Sequence, residues 1–261
     1  MPSNTAGDVQ QPPMTSATET SPTSSIHYRP HTDPRSSHQQ IAALVRELAG
    51  ERGFAPVLDV GAAQGMLGAM MQGTGIEMDA VEPNETWAGM ARPNYRNIWF
   101  NTIERAPLEN KRYRLIVCGD VLEHLVHPVS TLQRLRRAGA DDAKFIISLP
   151  NVAHLAVRIM LLFGQFPKMQ RGILDRTHLH FLTRKTATEM LAEAGLKVDR
   201  FSVTGVPIDE LWKSGEGSFV FRSLVRIQHV FLSLMPGLFG YQLIFLASAQ
   251  DRTSDATTSA R

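Results

Sequence analysis

Two groups of residues in this chain have types and spacings suited to chemistry. The first is Val57–Gly68, VLDVGAAQGMLG, with Glu82 in DAVEPN 14 residues beyond it. An apolar run ending near Asp59, then a glycine turn, then a helical segment builds a nucleotide-sized pocket. Gly61 and Gly65 let the backbone bend tightly and approach a ligand with no Cβ in the way. Glu82, at the end of the next strand-like run, can accept hydrogen bonds from two ribose hydroxyls. The 21 residues from Gly61 to Glu82 match one strand–helix–strand step. The second group is Asp120, Glu123 and His124 in YRLIVCGDVLEHLVHP, with Asp175 and His178 in RGILDRTHLHFLT. The first three fall at the carboxyl end of an apolar run, where open α/β sheets bind ligands, and they share a face if the loop turns helically. Histidine titrates near neutrality and can take a proton from a reacting group.

These groups need a scaffold, and the pattern around them supplies one. Strand-like runs at Val57–Val60, Met78–Glu82, Ile98–Phe100, Leu115–Cys118 and Phe145–Leu149 alternate with helical segments at Met66–Gln72, Glu85–Ala91, Val129–Ala138 and Val152–Phe163. That alternation predicts an α/β fold whose parallel sheet is covered on both faces. A helix capped by Ser36 or Ser37 precedes it and runs to Ala49, with Ile41, Leu44, Val45 and Leu48 on one face. After it, Thr183–Gly195 reads as a helix with Thr186, Met190 and Leu191 inward, and Lys197–Thr204 and Tyr241–Ala249 read as two last strands. A helical insertion at about 205–239 separates those strands. The folded domain is expected over 35–251, with tails at 1–34 and 252–261 too poor in large apolar side chains to order.

A net charge of +2 and 43% hydrophobic residues exclude little beyond a strongly basic nucleic-acid binder. The single cysteine, Cys118, rules out an intramolecular disulfide, and the polar N-terminus lacks an apolar signal segment. Both suggest a cytoplasmic protein. From Ile227 to Gln250 there is no formally charged residue, but Pro236, Gly237 and Gly240 break the run, so a membrane span is not expected. Phe219–Met235 reads as an amphipathic helix, with Arg222, Arg226, His229 and Ser233 in a polar stripe. It is expected either to pack on its own domain or to act as a lid or interfacial helix at the inner face of a membrane.

The glycine loop and its partner acid resemble the first two motifs of class I S-adenosylmethionine (SAM)-dependent methyltransferases, especially the type-23-like and ubiquinone-pathway O-methyltransferase-like group. The match runs over roughly residues 40–250. It implies a doubly wound, Rossmann-like sheet of seven strands, mostly parallel with an antiparallel last strand. It also implies SAM as cofactor, with Asp59, Gly61 and Gly65 in the loop under the methionine portion and Glu82 on the ribose. Two departures stand out. Ala63 replaces the middle glycine of GxGxG, a slight narrowing of the loop. Thr102 stands where many relatives hold the adenine with an Asp, leaving contact to Thr102 and the backbone of Ile103. Asp120 would complete the cofactor pocket. NAD is a poorer fit, because Gly61-Ala62-Ala63 does not supply Gly-x-Gly.

The segment Arg171–Thr183 resembles GILDRTHLRFFT, found in methyltransferases of sugars, glycans and other cell-surface precursors. This implies O-methylation of a saccharide, glycolipid or other small-molecule or lipid-linked acceptor. His124 or His178 would be the base, and Asp175 the orienting carboxylate or alternative base. Asp120-x-x-Glu123-His124 with a distant His178 also resembles divalent-metal-dependent quinone-pathway and RNA 2′-O-methyltransferases. That likeness implies Mg²⁺ or another divalent ion on Asp120, Glu123, His124 and His178. RNA is disfavoured by the lack of a basic patch with interleaved aromatics. A non-catalytic SAM-binding subunit is the reading from another class. Trp87, Trp99 and Trp212 are expected to pack in the core, and Arg134, Arg136 and Arg137 to form a solvated helix face. His154 is expected to face solvent, while Phe163, Phe166 and Met169 are expected to form a packed lid.

Overall fold

The structure, a computed structural model, describes residues 36–108, 113–206 and 219–250. The expected tails, Trp212 and part of the insertion lie outside those residues. The strands are β1 (Val57–Val60), β2 (Met78–Val81), β3 (Asn97–Trp99), β4 (Tyr113–Gly119), β5 (Gly139–Pro150), β6 (Leu196–Thr204) and β7 (Gln242–Ala249). They form one sheet in the order β3-β2-β1-β4-β5-β7-β6. Only β7 runs against the rest, antiparallel to both β5 and β6. The helices are α1 (Ser37–Val45), α2 (Met66–Met71), α3 (Glu85–Ala91), α4 (Pro128–Ala138), α5 (Leu155–Leu162), α6 (Arg184–Glu193) and α7 (Phe219–Leu234). This is the doubly wound, mostly parallel seven-stranded sheet that the sequence motifs imply.

Strand alternation explains why both faces are covered. Val57, Leu115, Val117 and Ile146 pack in one cluster with Ile41, Val45 and Leu48 of the first helical segment. Their neighbours Leu58, Ile116, Phe145 and Ile147 pack in the other, with Leu132 and Leu135 of α4 and Leu191 of α6. Neither face could stay wet, since each offers a near-continuous aliphatic surface. At the β2–β3 edge, buried Asp79 accepts hydrogen bonds from Arg96, Asn97 and the Tyr113 hydroxyl. That cluster satisfies its own charge.

Several expected boundaries move. β5 begins at Gly139, six residues before Phe145, because the polar Gly139–Lys144 stretch completes pairing with β4 across a bulge. β3 slides one residue to Asn97–Trp99, and α5 starts only at Leu155. Thr186 does not face inward: it is exposed and closes a capping box with Thr183, while Ala187, Met190 and Leu191 are buried. Arg134 and Arg136 are not merely solvated. Arg134 donates to the carbonyls of Ile103 and Ala106, and Arg136 to that of Gln250, so α4 pins two neighbouring segments. Trp87 is half-buried and Trp99 packs against the core. No described helix is long and apolar enough to cross a membrane.

Candidate active site

The strand order reverses direction between β1 and β4, which opens a crevice beyond their carboxyl ends. The glycine loop enters it from β1. Gly61 has φ +73°, and a Cβ there would lie 2.5 Å from Val121 just beyond β4. Gly65 has φ +81°, and a Cβ would lie 2.7 Å from the backbone of Ala91. Both positions therefore need glycine for conformation and for space. Ala63 also adopts a left-handed conformation, φ +46°. Its cost is thus strain and not only the slight narrowing expected. An L-residue there costs about 1–2 kcal/mol, while glycine raises unfolded-chain entropy by less. Ala63→Gly is expected to raise stability by about 0.5–1 kcal/mol, read as a higher urea midpoint. An unchanged or lower midpoint would show that the loop carries no such strain.

Glu82 follows β2 and is buried, with Oε2 accepting from the Ala63 N–H and Oε1 from the Asn84 N–H, each at 2.8 Å. Burial pushes its carboxyl above the ordinary value, against the pull of those two donors. Asp59 lies beneath the loop. Its Oδ2 accepts from the Tyr95 hydroxyl at 2.6 Å, and that oxygen in turn accepts from the Gly68 N–H. Asp59 thus fixes the floor of the pocket through Tyr95, a residue that its position in an ordinary-looking RPNYR stretch did not single out. Thr102 is exposed on the neighbouring loop, where its carbonyl accepts from Arg105 and Ala106. Ile103 has a buried side chain, and its carbonyl is taken by Arg134.

Burial pushes the Asp59 carboxyl up to about 7 from 3.8, with the Tyr95 bond opposing and Glu82 adding to the rise. A carboxyl with a raised folded pKa gives stability that is fully present below the unfolded pKa and lost as pH rises through the folded one. Between pH 4 and 7 this group is expected to lower stability by about 1.4 kcal/mol per pH unit. Urea unfolding at pH 5 and pH 8 should show that slope in the wild type and its reduction in Asp59→Asn. Equal slopes in both would remove Asp59 as the cause.

The acceptor side begins where β4 ends. Asp120 has φ +54°, a strained position for a non-glycine. Its Oδ1 accepts from Ser148 and its Oδ2 from Gln242, so β5 and β7 hold it. Ser148 sits in the SLPN stretch and Gln242 opens β7, and nothing in their local sequence marks this role. Glu123 is fully buried, and neither carboxylate oxygen has a hydrogen-bond partner. Its carbonyl accepts the N–H groups of Leu179 and His180, which pulls the Asp175–Thr183 segment over it. His178 Nε2 comes to 4.0 Å from Glu123 Oε1. The His124 and His178 rings meet edge to face at 4.8 Å. One ligand atom each from Glu123, His124 and His178 lie within 4.8 Å of one another. Asp120 does not join this cluster.

Backbone carbonyls fix both imidazoles. His178 Nδ1 contacts the Ile173 carbonyl at 3.1 Å, and His124 Nδ1 contacts the Thr177 carbonyl at 3.3 Å. A carbonyl only accepts, so each Nδ1 carries a proton, and in the neutral form of either ring the lone pair lies on Nε2. Burial, then His124, hold His178 below the ordinary histidine value. Burial, then Asp120, push Glu123 well above the carboxylate range. Asp175 does not orient either ring by hydrogen bond, as expected of it. Its Oδ1 accepts from the N–H and hydroxyl of Thr177 and shapes the turn that presents the Thr177 carbonyl. His154 is buried, not solvated: its Nδ1 caps α5 by accepting from Ala156, and its ring meets Tyr241.

A family model described as a methyltransferase domain matches residues 31–200. The chain belongs to the SAM-dependent methyltransferases. Solved structures share the fold of this methyltransferase. A SAM-dependent methyltransferase from Archaeoglobus fulgidus is 20% identical, with 82% of this chain and 95% of that one covered at a TM-score of 0.54. Magnesium protoporphyrin IX methyltransferase from Synechocystis, with bound S-adenosylhomocysteine, is 15% identical over 82% and 83% at 0.55. The 1,6-didemethyltoxoflavin-N1-methyltransferase of Burkholderia thailandensis, with 1,6-didemethyltoxoflavin and S-adenosylhomocysteine bound, is 15% identical over 83% and 80% at 0.53. No curated protein matches the sequence. The methyltransferase domain spans the glycine loop, Glu82 and the whole Glu123–His178 cluster.

Proposed function

We propose that this methyltransferase transfers the SAM methyl group to a hydroxyl of a small acceptor, a saccharide or a glycolipid precursor. The observation that carries O-methylation is the pair of imidazoles whose Nε2 lone pairs are left free by the Ile173 and Thr177 carbonyls. Methyl transfer from a sulfonium is a direct displacement. The acceptor oxygen forms the new C–O bond as the S–CH₃ bond breaks, and the electron pair stays on sulfur as S-adenosylhomocysteine leaves. A hydroxyl must lose its proton along the way, and an amine has less need of a base. The His178 side chain is only 6% exposed and burial holds it below the ordinary histidine value, so its Nε2 is free to take that proton near neutrality. The imidazolium then faces Glu123 Oε1 4.0 Å away, and its charge draws the buried carboxyl toward the ionised form, which in turn stabilises the imidazolium.

The orphaned oxygens of Glu123 favour a second reading. A buried carboxylate with two imidazoles whose other nitrogens donate to carbonyls is a donor set that suits a divalent ion. Glu123, His124 and His178 would hold it. Asp120, expected among the ligands, has both oxygens engaged by Ser148 and Gln242. A bound Mg²⁺ or similar ion would supply Lewis acidity that lowers the pKa of an acceptor hydroxyl. In both readings the chain's own residues align the acceptor and exclude water.

The acceptor is tested by incubating the enzyme with methyl-labelled SAM and fractionated lipid, glycan, RNA and small-molecule pools. Label is expected in a glycan or lipid fraction, on a base-stable methyl ether. Label in RNA, or on a quinone or phenol, would replace the acceptor reading. SAM binding without label in any pool would make the protein a non-catalytic subunit.

A further inference from the structure

The face beside the acceptor site is apolar where a soluble domain is normally polar. In α7, Ile227, Val230, Phe231 and Leu234 recur at helical spacing and are all exposed, with Leu234 at 72%. The inward side carries Gln228, which donates to the Val206 carbonyl. These four apolar side chains are therefore left largely uncovered, with Phe231 stacking on Phe239 at 4.7 Å. On α5 and just beyond it, Leu162 and Phe163 are 82% and 74% exposed, and Phe166 and Met169 follow, also exposed. They do not form a packed lid. Between the two helices runs a groove of about 450 Å³, lined by Leu155, Ile159, Ile227, Phe231 and Phe239.

Charge decides what this face fits. Residues 152–174 contain the exposed Arg158, Lys168 and Arg171, and residues 225–250 the exposed Arg226, with no Asp or Glu in either stretch. The whole chain is nearly balanced, with 27 cations against 25 anions, so the bias is local. A second copy of the chain is a poor occupant, since a two-fold contact sets the same cations against themselves. An anionic bilayer satisfies both features: apolar side chains enter the headgroup boundary while Arg and Lys meet lipid phosphates.

We propose that the outward face of α5, the segment 163–171 and α7 form a docking surface for anionic membrane. Docking brings the site to the lipid. Phe166 meets Phe181 at 5.0 Å, and Phe181 meets His178 at 6.2 Å, so the rim of the imidazole pair lies two ring contacts from an exposed side chain. A lipid-linked acceptor could then be methylated without leaving the bilayer. That consequence rests on the acceptor reading, whereas docking does not.

The test is co-sedimentation of the full chain with vesicles of phosphatidylcholine alone or mixed with phosphatidylglycerol. Binding is expected to be at least about tenfold stronger to the anionic vesicles and to weaken with added salt, as about 1 kcal/mol per basic residue implies. Leu162→Glu with Phe163→Glu, and separately Val230→Glu with Leu234→Glu, are each expected to reduce it by at least about tenfold. Calorimetry with SAM confirms that each variant is folded, and it is independent of any acceptor. Absence of wild-type binding to anionic vesicles would overturn the proposal, as would full binding by both variants. So would a wild-type dimer in size-exclusion chromatography that the variants convert to monomer, without vesicle binding.

Discussion

Replacing Glu82 with glutamine is expected to weaken SAM binding by about 10²-fold while leaving the protein folded. In the structure both oxygens of Glu82 accept backbone N–H groups, from Ala63 in the glycine loop and from Asn84 at the start of α3. The carboxylate is therefore fixed at the mouth of the loop before any ligand arrives, and each oxygen has a further lone pair for a ribose hydroxyl. A hydrogen bond to a charged group contributes about 1.5–3 kcal/mol, so losing the charge and one acceptor costs about 3 kcal/mol of affinity. The amide nitrogen also cannot accept from whichever backbone N–H it faces. Stability is expected to fall by about 1–3 kcal/mol for that lost acceptor, offset in part because burial already opposes the ionised form of Glu82. Calorimetry with SAM and S-adenosylhomocysteine reads the affinity, and a urea titration checks the fold. Equal affinity in Glu82→Gln and wild type would mean that the ribose is held elsewhere.

The fold was largely legible because aliphatic alternation is a strong signal. Val57–Val60 and Leu115–Cys118 are short, mostly apolar runs that suit a two-sided buried strand; the first forms as read and the second extends to Tyr113–Gly119. The first half of β5 was hidden because Gly139–Lys144 is polar and pairs through its backbone, which side-chain patterning does not report. The glycine positions could be read because φ > 0 leaves a residue-type signature, and Ala63 escaped because it breaks that signature at a strained cost. Site partners at long range were beyond sequence. Tyr95 reaches Asp59 across 36 positions, and Gln242 reaches Asp120 across 122. His154 was misjudged for a related reason: a ring nitrogen that caps a helix can be buried at little cost, and a lone histidine does not announce that partner. The stripe on α7 was visible, but periodicity gives the stripe and not its direction, and the structure leaves Ile227, Val230 and Leu234 exposed.

His178→Ala is expected to lower kcat by about 10²-fold or more with SAM affinity unchanged, and the chelator response then separates its two chemistries. Both follow from one arrangement: Nδ1 committed to the Ile173 carbonyl, Nε2 turned toward a buried carboxyl without partners. If Nε2 takes the proton directly, EDTA leaves turnover intact, and His178→Gln is as damaged as the alanine variant because an amide cannot serve as a base at neutral pH. Glu123→Gln then costs less than His178→Ala, since it removes only the stabilisation of the imidazolium. If the three side chains hold an ion, EDTA abolishes turnover and added Mg²⁺ or Mn²⁺ restores it. Glu123→Gln is then about as damaging as His178→Ala, because losing either donor opens the set. His124→Ala adds a further arm. As a ligand it matters as much as His178, whereas as a bystander ring at 4.8 Å it changes turnover little. Near-normal kcat in both histidine variants would sink the base and the ion together. The Glu123 cluster would then only brace the loop that its carbonyl already anchors to Leu179 and His180.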